Sequence, residues 1–86
     1  MLELSIAKSG RRIARFAGVH LHSSYDPEAE ARRYVRQSLS RSSPSIVLLL
    51  GAGLGYVYEE VRRSCPEAEI LVVFYHEEIR RAFSPA

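Results

Sequence analysis

One stretch constrains this chain more than any other. Between Ile46 and Tyr75 a five-residue aliphatic run, Ile46-Val47-Leu48-Leu49-Leu50, leads directly into Gly51-Ala52-Gly53-Leu54-Gly55. A continuous apolar run bounded by Pro44 and Gly51 predicts a parallel strand buried on both faces. After the glycines, Leu54, Val57, Tyr58 and Val61 recur at i, i+3, i+4 and i+7, the period of a helix with one apolar face, and Cys65-Pro66 ends it. Ile70 to Tyr75 is a second β-rich run, and the intervening length suits a right-handed crossover to a parallel neighbour. The spacing therefore predicts a strand, glycine loop, helix, strand unit of Rossmann type over residues 46–76.

The flanks add a β-rich start and two helices. Leu2 to Ala7 alternates apolar and polar residues, as a half-buried strand does, and Lys8-Ser9-Gly10-Arg11 has turn chemistry. Residues 12–22 read as a second strand interrupted at Gly18, with a short helix over Arg11 to Ala17 as the alternative. Asp26-Pro27-Glu28 is a helix start: the aspartate caps free amides, proline suits the first helical position and glutamate complements the positive helix end. That helix is expected over 27–39, burying Ala31, Val35 and Leu39 with Tyr34 at the margin, and pairing Glu28 with Arg32 and Glu30 with Arg33. Ser40 to Ser45 reads as a connecting loop, and Glu77 to Phe83 as a last helix stopped at Ser84-Pro85.

The expected fold is α/β: one domain over 1–86, with an N-terminal β element (1–25), a helix (26–40) and a βαβα unit (46–83). This is roughly half of a doubly wound sheet. An open two-stranded parallel core would leave an edge and a face exposed, so a homodimer that completes the sheet or covers its helices is expected.

Composition excludes several classes. Twelve basic against ten acidic residues give a net charge of only +2, and the arginine pairs 11/12, 32/33, 62/63 and 80/81 are scattered, so no nucleic-acid stripe is expected. The longest apolar run is far short of a membrane span, and the N-terminus has no signal-peptide pattern. The lone Cys65 cannot form an internal disulfide, which leaves a cytoplasmic location as the default.

The glycines are where chemistry could reside. Gly51, Gly53 and Gly55, with Leu54 and Tyr56 at the helix start, would let the backbone approach a ligand while free amides face an anion. The five-residue form departs from the dinucleotide pattern and is closer to the first motif of S-adenosylmethionine methyltransferases. S-adenosylmethionine or a nucleotide is thus the expected cofactor class if one binds. The competing reading is a tight turn with close helix packing and no ligand.

Such sites commonly carry a carboxylate at the end of the second strand to hold ribose hydroxyls. Phe74 or Tyr75 stands there instead, and Glu77 and Glu78 come too late. Tyr75 and His76, beyond that strand's carboxyl end, complete the candidate site by position. His20-x-His22 would place two imidazoles on one side of a strand, but no matching third metal ligand is evident. No nucleophile with a base, Walker lysine or Cys-x-x-Cys pair is present, so no catalytic residue is assigned.

Two stretches together, Leu21-His22-Ser23-Ser24-Tyr25-Asp26-Pro27 followed by Glu30-Ala31, and Val47 to Tyr56, resemble the N-terminal region of the MptE-like family. That family includes 6-hydroxymethylpterin diphosphokinase MptE-like proteins and the motility accessory factors implicated in glycosylating flagellin. The resemblance covers roughly residues 2–83. It implies a non-catalytic N-terminal accessory domain, because the family's transferase chemistry lies downstream with a second glycine-proline-serine loop that this chain lacks. Where Phe74 and Tyr75 stand, relatives more often show a glutamate.

Overall fold

The alternation of Leu2-Glu-Leu-Ser-Ile6 does form a strand, β1 (Leu2–Ile6), which pairs antiparallel with β2 (Arg12–Phe16), Leu4 opposite Ala14. The computed structural model that establishes this describes residues 1–39 and 43–85. The turn closes through the Ala7 N–H to the Arg11 carbonyl (2.8 Å) and the Gly10 N–H to the Ala7 carbonyl (2.9 Å). Residues 12–16 are thus a strand, not the alternative helix.

A two-residue turn, Ala17 (φ 51°) and Gly18 (φ 79°), then leads into β3 (Val19–His20). Positive φ at both central residues is the primed turn geometry whose twist matches a hairpin. The pairing stops at His20, so His22 lies beyond the strand. The expectation that His20 and His22 share one face of a strand is therefore corrected.

Helix α1 (Pro27–Leu39) has the predicted bounds. Asp26 Oδ1 accepts the Ala29 N–H at 3.0 Å, and Ser23 Oγ accepts the N–H groups of Tyr25 and Asp26. Ala31 and Val35 are buried and Leu39 half-buried, but Tyr34 is exposed. The acids of the first turn reach away from the helix: Glu28 pairs with Arg11 at 3.0 Å, and Glu30 accepts the Ser23 N–H at 2.9 Å. They fasten α1 to the N-terminal segment in place of the expected pairings with Arg32 and Arg33. Of the connecting loop, residues 40–42 lie outside the described residues.

The second half begins with β4 (Ile46–Leu50), crosses over through α2 (Tyr56–Ser64) and returns as β5 (Glu69–Val73). The two strands pair in parallel, with Leu48 opposite Leu71 and Leu50 opposite Val73. Strand β5 stops at Val73, so Phe74 and Tyr75 leave the ladder earlier than expected. The last helix, α3 (Glu77–Ala82), follows. Phe83 after it meets Tyr58 and Phe74 edge-on, at ring separations of 5.4 and 5.1 Å.

Burial of β4 on both faces is not observed. Val47, Leu49, Ile70 and Val72 are half-buried, whereas Ile46, Leu48, Leu50, Leu71 and Val73 alternate outward, 41 to 61% exposed. The reason is topological: α1 packs on α2, and no described element covers the outward face. Among the described residues the fold is mixed α/β, with three helices, an antiparallel sheet β1-β2-β3 and a separate parallel pair β4-β5, and no closed barrel. No described helix is long and apolar enough to cross a membrane.

The two halves meet through side chains and chain ends. The Leu2 N–H donates to Glu78 Oε2 at 3.2 Å, the Phe16 ring lies 4.7 Å from that of His76, and Arg12 donates to Ser84 Oγ at 3.0 Å. Among the described residues the buried apolar side chains are four alanines, Ala7, Ala14, Ala31 and Ala52, together with Ile13, Val35, Leu54, Val61 and Ile79.

Candidate functional site

The glycine loop follows from its termini. The Gly51 N–H still belongs to the strand pair, donating to the Val73 carbonyl at 2.8 Å. The chain then turns, the Gly55 N–H donates to the Ala52 carbonyl at 3.0 Å, and Gly55 (φ 114°) caps α2 without help from a side chain. Ala52, Gly53, Leu54 and Gly55 are all buried. A loop that presented its backbone to a ligand would hold that surface open, whereas this one is covered by its own chain.

His22 supplies the central cover. Its Nε2 accepts the Leu54 N–H at 3.1 Å, and its ring stands edge-on to Tyr56 with centroids 5.2 Å apart. The imidazole lies so close to Gly53 (φ 55°) that a Cβ there would sit 2.5 Å from Cε1. Burial holds the His22 pKa below its ordinary value, with the carboxylate of Glu30 a smaller opposing influence. A neutral ring accepting at Nε2 carries its proton on Nδ1.

The other two glycines are met from the C-terminal side. A Cβ on Gly51 would lie 3.0 Å from Tyr75 Cε2, and one on Gly55 would lie 3.0 Å from the backbone nitrogen of Pro85. The Ser84 N–H also donates to the Leu54 carbonyl at 3.0 Å. Each glycine thus admits a neighbour that a side chain would displace.

Nothing matches this chain among family models, curated proteins or solved structures.

The residues singled out by sequence are therefore only partly brought together. Gly51, Gly53, Leu54, Gly55 and Tyr56 form one loop and helix start, with Tyr75 against Gly51. His76 is elsewhere in role: its Nδ1 accepts the Glu78 N–H at 3.1 Å, capping α3, while its ring rests on Phe16. Glu77 is engaged by Arg80 and Arg81, and the Arg80 guanidinium holds its carboxyl at a pKa of about 2. Tyr56 donates its hydroxyl to the Arg12 carbonyl at 2.5 Å, and burial raises its pKa.

Beside the loop a cavity of about 250 Å³ is lined by Arg11, Arg12, Glu28, Tyr56, Glu59 and Ser84, among others. Its charges are balanced, and Arg11 is held by Glu28, which raises the arginine pKa further. Among the described residues no group of three or more histidine, cysteine or carboxylate side chains could hold a metal ion.

Sequence reasoning missed two participants, His22 as the partner of Leu54 and Pro85 as the lid on Gly55. His22 is 32 positions from Leu54, and no local pattern links them. The one available signal was that His22 directly precedes the serine and aspartate caps of α1, where the chain path is fixed.

Proposed function

We propose that this chain is a non-catalytic accessory and assembly module of Rossmann-like type, of the kind suggested by its resemblance to the N-terminal domain of MptE-like transferases. In this reading Gly51 to Gly55 is a joint between the two halves of the module, descended from a cofactor loop. The observation that carries it is the occupation of the loop by this chain's own groups, with His22 on Gly53, Tyr75 on Gly51 and Pro85 on Gly55. An anion arriving at the loop would have to displace the His22 ring from the Leu54 amide.

A second point supports the same reading. The position after β5 where a ribose-binding carboxylate would stand holds Phe74, which packs on Phe83, and the next carboxylate in sequence, Glu77, is paired with Arg80 and Arg81 within α3. The alternative, a small binder of S-adenosylmethionine or a nucleotide, needs the loop to open. A thermal-shift series with S-adenosylmethionine, NAD, CMP and ATP decides between them, because a ligand that binds only the folded state raises its melting temperature. The accessory role predicts no shift at millimolar ligand, and a saturable shift with any of the four overturns it.

A further inference from the structure

The pleat gathers on one side of the β4–β5 pair every residue that the connecting helices do not reach. Ile46, Leu48 and Leu50 stand in one row, 57 to 61% exposed, and Leu71 and Val73 stand opposite Leu48 and Leu50. Tyr75, in step with Leu71 and Val73 along the chain, projects at the carboxyl end and is 70% exposed. Among the described residues of the two strands the one charge in the face is Glu69, opposite Ile46 at the far end.

We propose that this face is the docking surface for a second copy of the same chain, the two sheets packing face to face about a two-fold axis. The proposal gives a location to the assembly role above and rests on it.

Three features select a second copy as the occupant. Five aliphatic side chains and Tyr75 exposed to this extent present roughly 600 Å² of apolar surface, at the upper end of what a monomer ordinarily leaves open and a large part of the ~800 Å² that each partner buries in a standard interface. A two-fold interface must be self-complementary, and a face whose centre carries no charge meets its own copy without like-charge repulsion. Sheet faces also stack at about 10 Å, where side chains of Leu48 and Leu71 size interdigitate.

Covering this face would also add apolar burial to a chain whose size leaves it a small core. The outward side of β1 differs. There Leu4 and Ile6 are exposed, but Ile6 stands opposite charged Arg12.

Sedimentation velocity on the full chain tests the proposal. The expected result is a dimer at micromolar concentration. Leu48→Glu should weaken it by on the order of a hundredfold, since the new carboxylate would have to be buried without a partner. Its far-UV circular dichroism should be unchanged, because Leu48 is exposed in the single chain. Leu48→Ala, which poses no threat to folding, should weaken the dimer about tenfold through lost apolar area. Ile6→Glu should leave it intact.

A wild-type chain that stays monomeric at high micromolar concentration overturns the proposal. So does a dimer that survives both Leu48 variants or is lost with Ile6→Glu. The thermal-shift series tests the non-catalytic reading and sedimentation tests this surface, so the two fail separately.

Discussion

The Nε2 of His22 accepts the amide proton of Leu54 at 3.1 Å while the same ring lies over the α-carbon of Gly53. One side chain thus satisfies the backbone of the loop and fills the space that its glycine leaves. Removing that ring should be costly. His22→Ala leaves a buried N–H without its acceptor, a penalty of about 1–3 kcal/mol. Urea unfolding is expected to show a lower midpoint with little change in slope, and an unchanged midpoint would mean that the contact contributes nothing.

Gly53 should be coupled to the same ring. Gly53→Ala forces an L-residue into a left-handed conformation (φ 55°) and drives its methyl into His22 Cε1. The backbone term costs about 1–2 kcal/mol in any background. The clash exists only when His22 is present. A double-mutant cycle of Gly53→Ala with His22→Ala is therefore expected to show a coupling of about 0.5–3 kcal/mol, whereas additivity would separate the two residues.

Acid should loosen this joint before it affects the carboxylates. The folded His22 pKa lies below the ordinary 6.5, mainly through burial. The unfolded chain therefore binds the proton more readily in the interval between the folded value and 6.5. Stability contributed here is complete above pH 6.5 and is lost as pH falls below it. Protonation would also turn the Nε2 acceptor into a donor facing the Leu54 N–H. Unfolding free energies measured between neutrality and pH 5 should decline in the wild type and flatten in His22→Ala. Parallel curves would remove His22 as the cause.

The cap of α1 is separable from the loop. Asp26→Ala deletes the acceptor for the Ala29 N–H and should cost about 0.5–2 kcal/mol, with a loss of helical circular dichroism at elevated temperature. The same melt on Asp26→Asn should recover most of the loss, because the amide oxygen can accept in the same place.

A gain is expected at the β2–β3 turn. Ala17 holds a φ of 51° in a two-residue turn whose first position favours asparagine. Ala17→Asn should raise stability by about 1 kcal/mol, read as a higher melting temperature. No gain would show that the turn relaxes to accommodate alanine.

Wherever local pattern decides structure, the sequence was legible. Asp26-Pro27 located α1, and the i, i+3, i+4, i+7 spacing of Leu54, Val57, Tyr58 and Val61 located α2. The alternation of Leu2 to Ile6 located β1. The burial of β4 was misread because Ile46 to Leu50 has the same apolar run whether or not a helix covers its second face, and that depends on the topology of the surrounding chain. The site was legible as a loop but not as an environment. Gly51, Gly53 and Gly55 announce close approach, yet whether a ligand or Tyr75, His22 and Pro85 does the approaching is set by contacts distant in sequence. His76 was placed by the position of the strand end and proved to be a helix cap on Phe16.

The bonds that hold the loop and the chain ends also bear on the order of assembly. The β1–β2 hairpin, α1 and the β4–α2–β5 unit are each closed by contacts near in sequence, and such pieces form early. The ties from Leu2 to Glu78 and from Arg12 to Ser84 span 76 and 72 positions, and His22 must arrive from outside the unit that contains Gly53. Loop-closure entropy places these ties after the pieces they join. The glycine loop then acquires its final shape in the last step of folding, and substitutions at His22 should speed unfolding while leaving the folding rate nearly unchanged, giving a φ-value near zero.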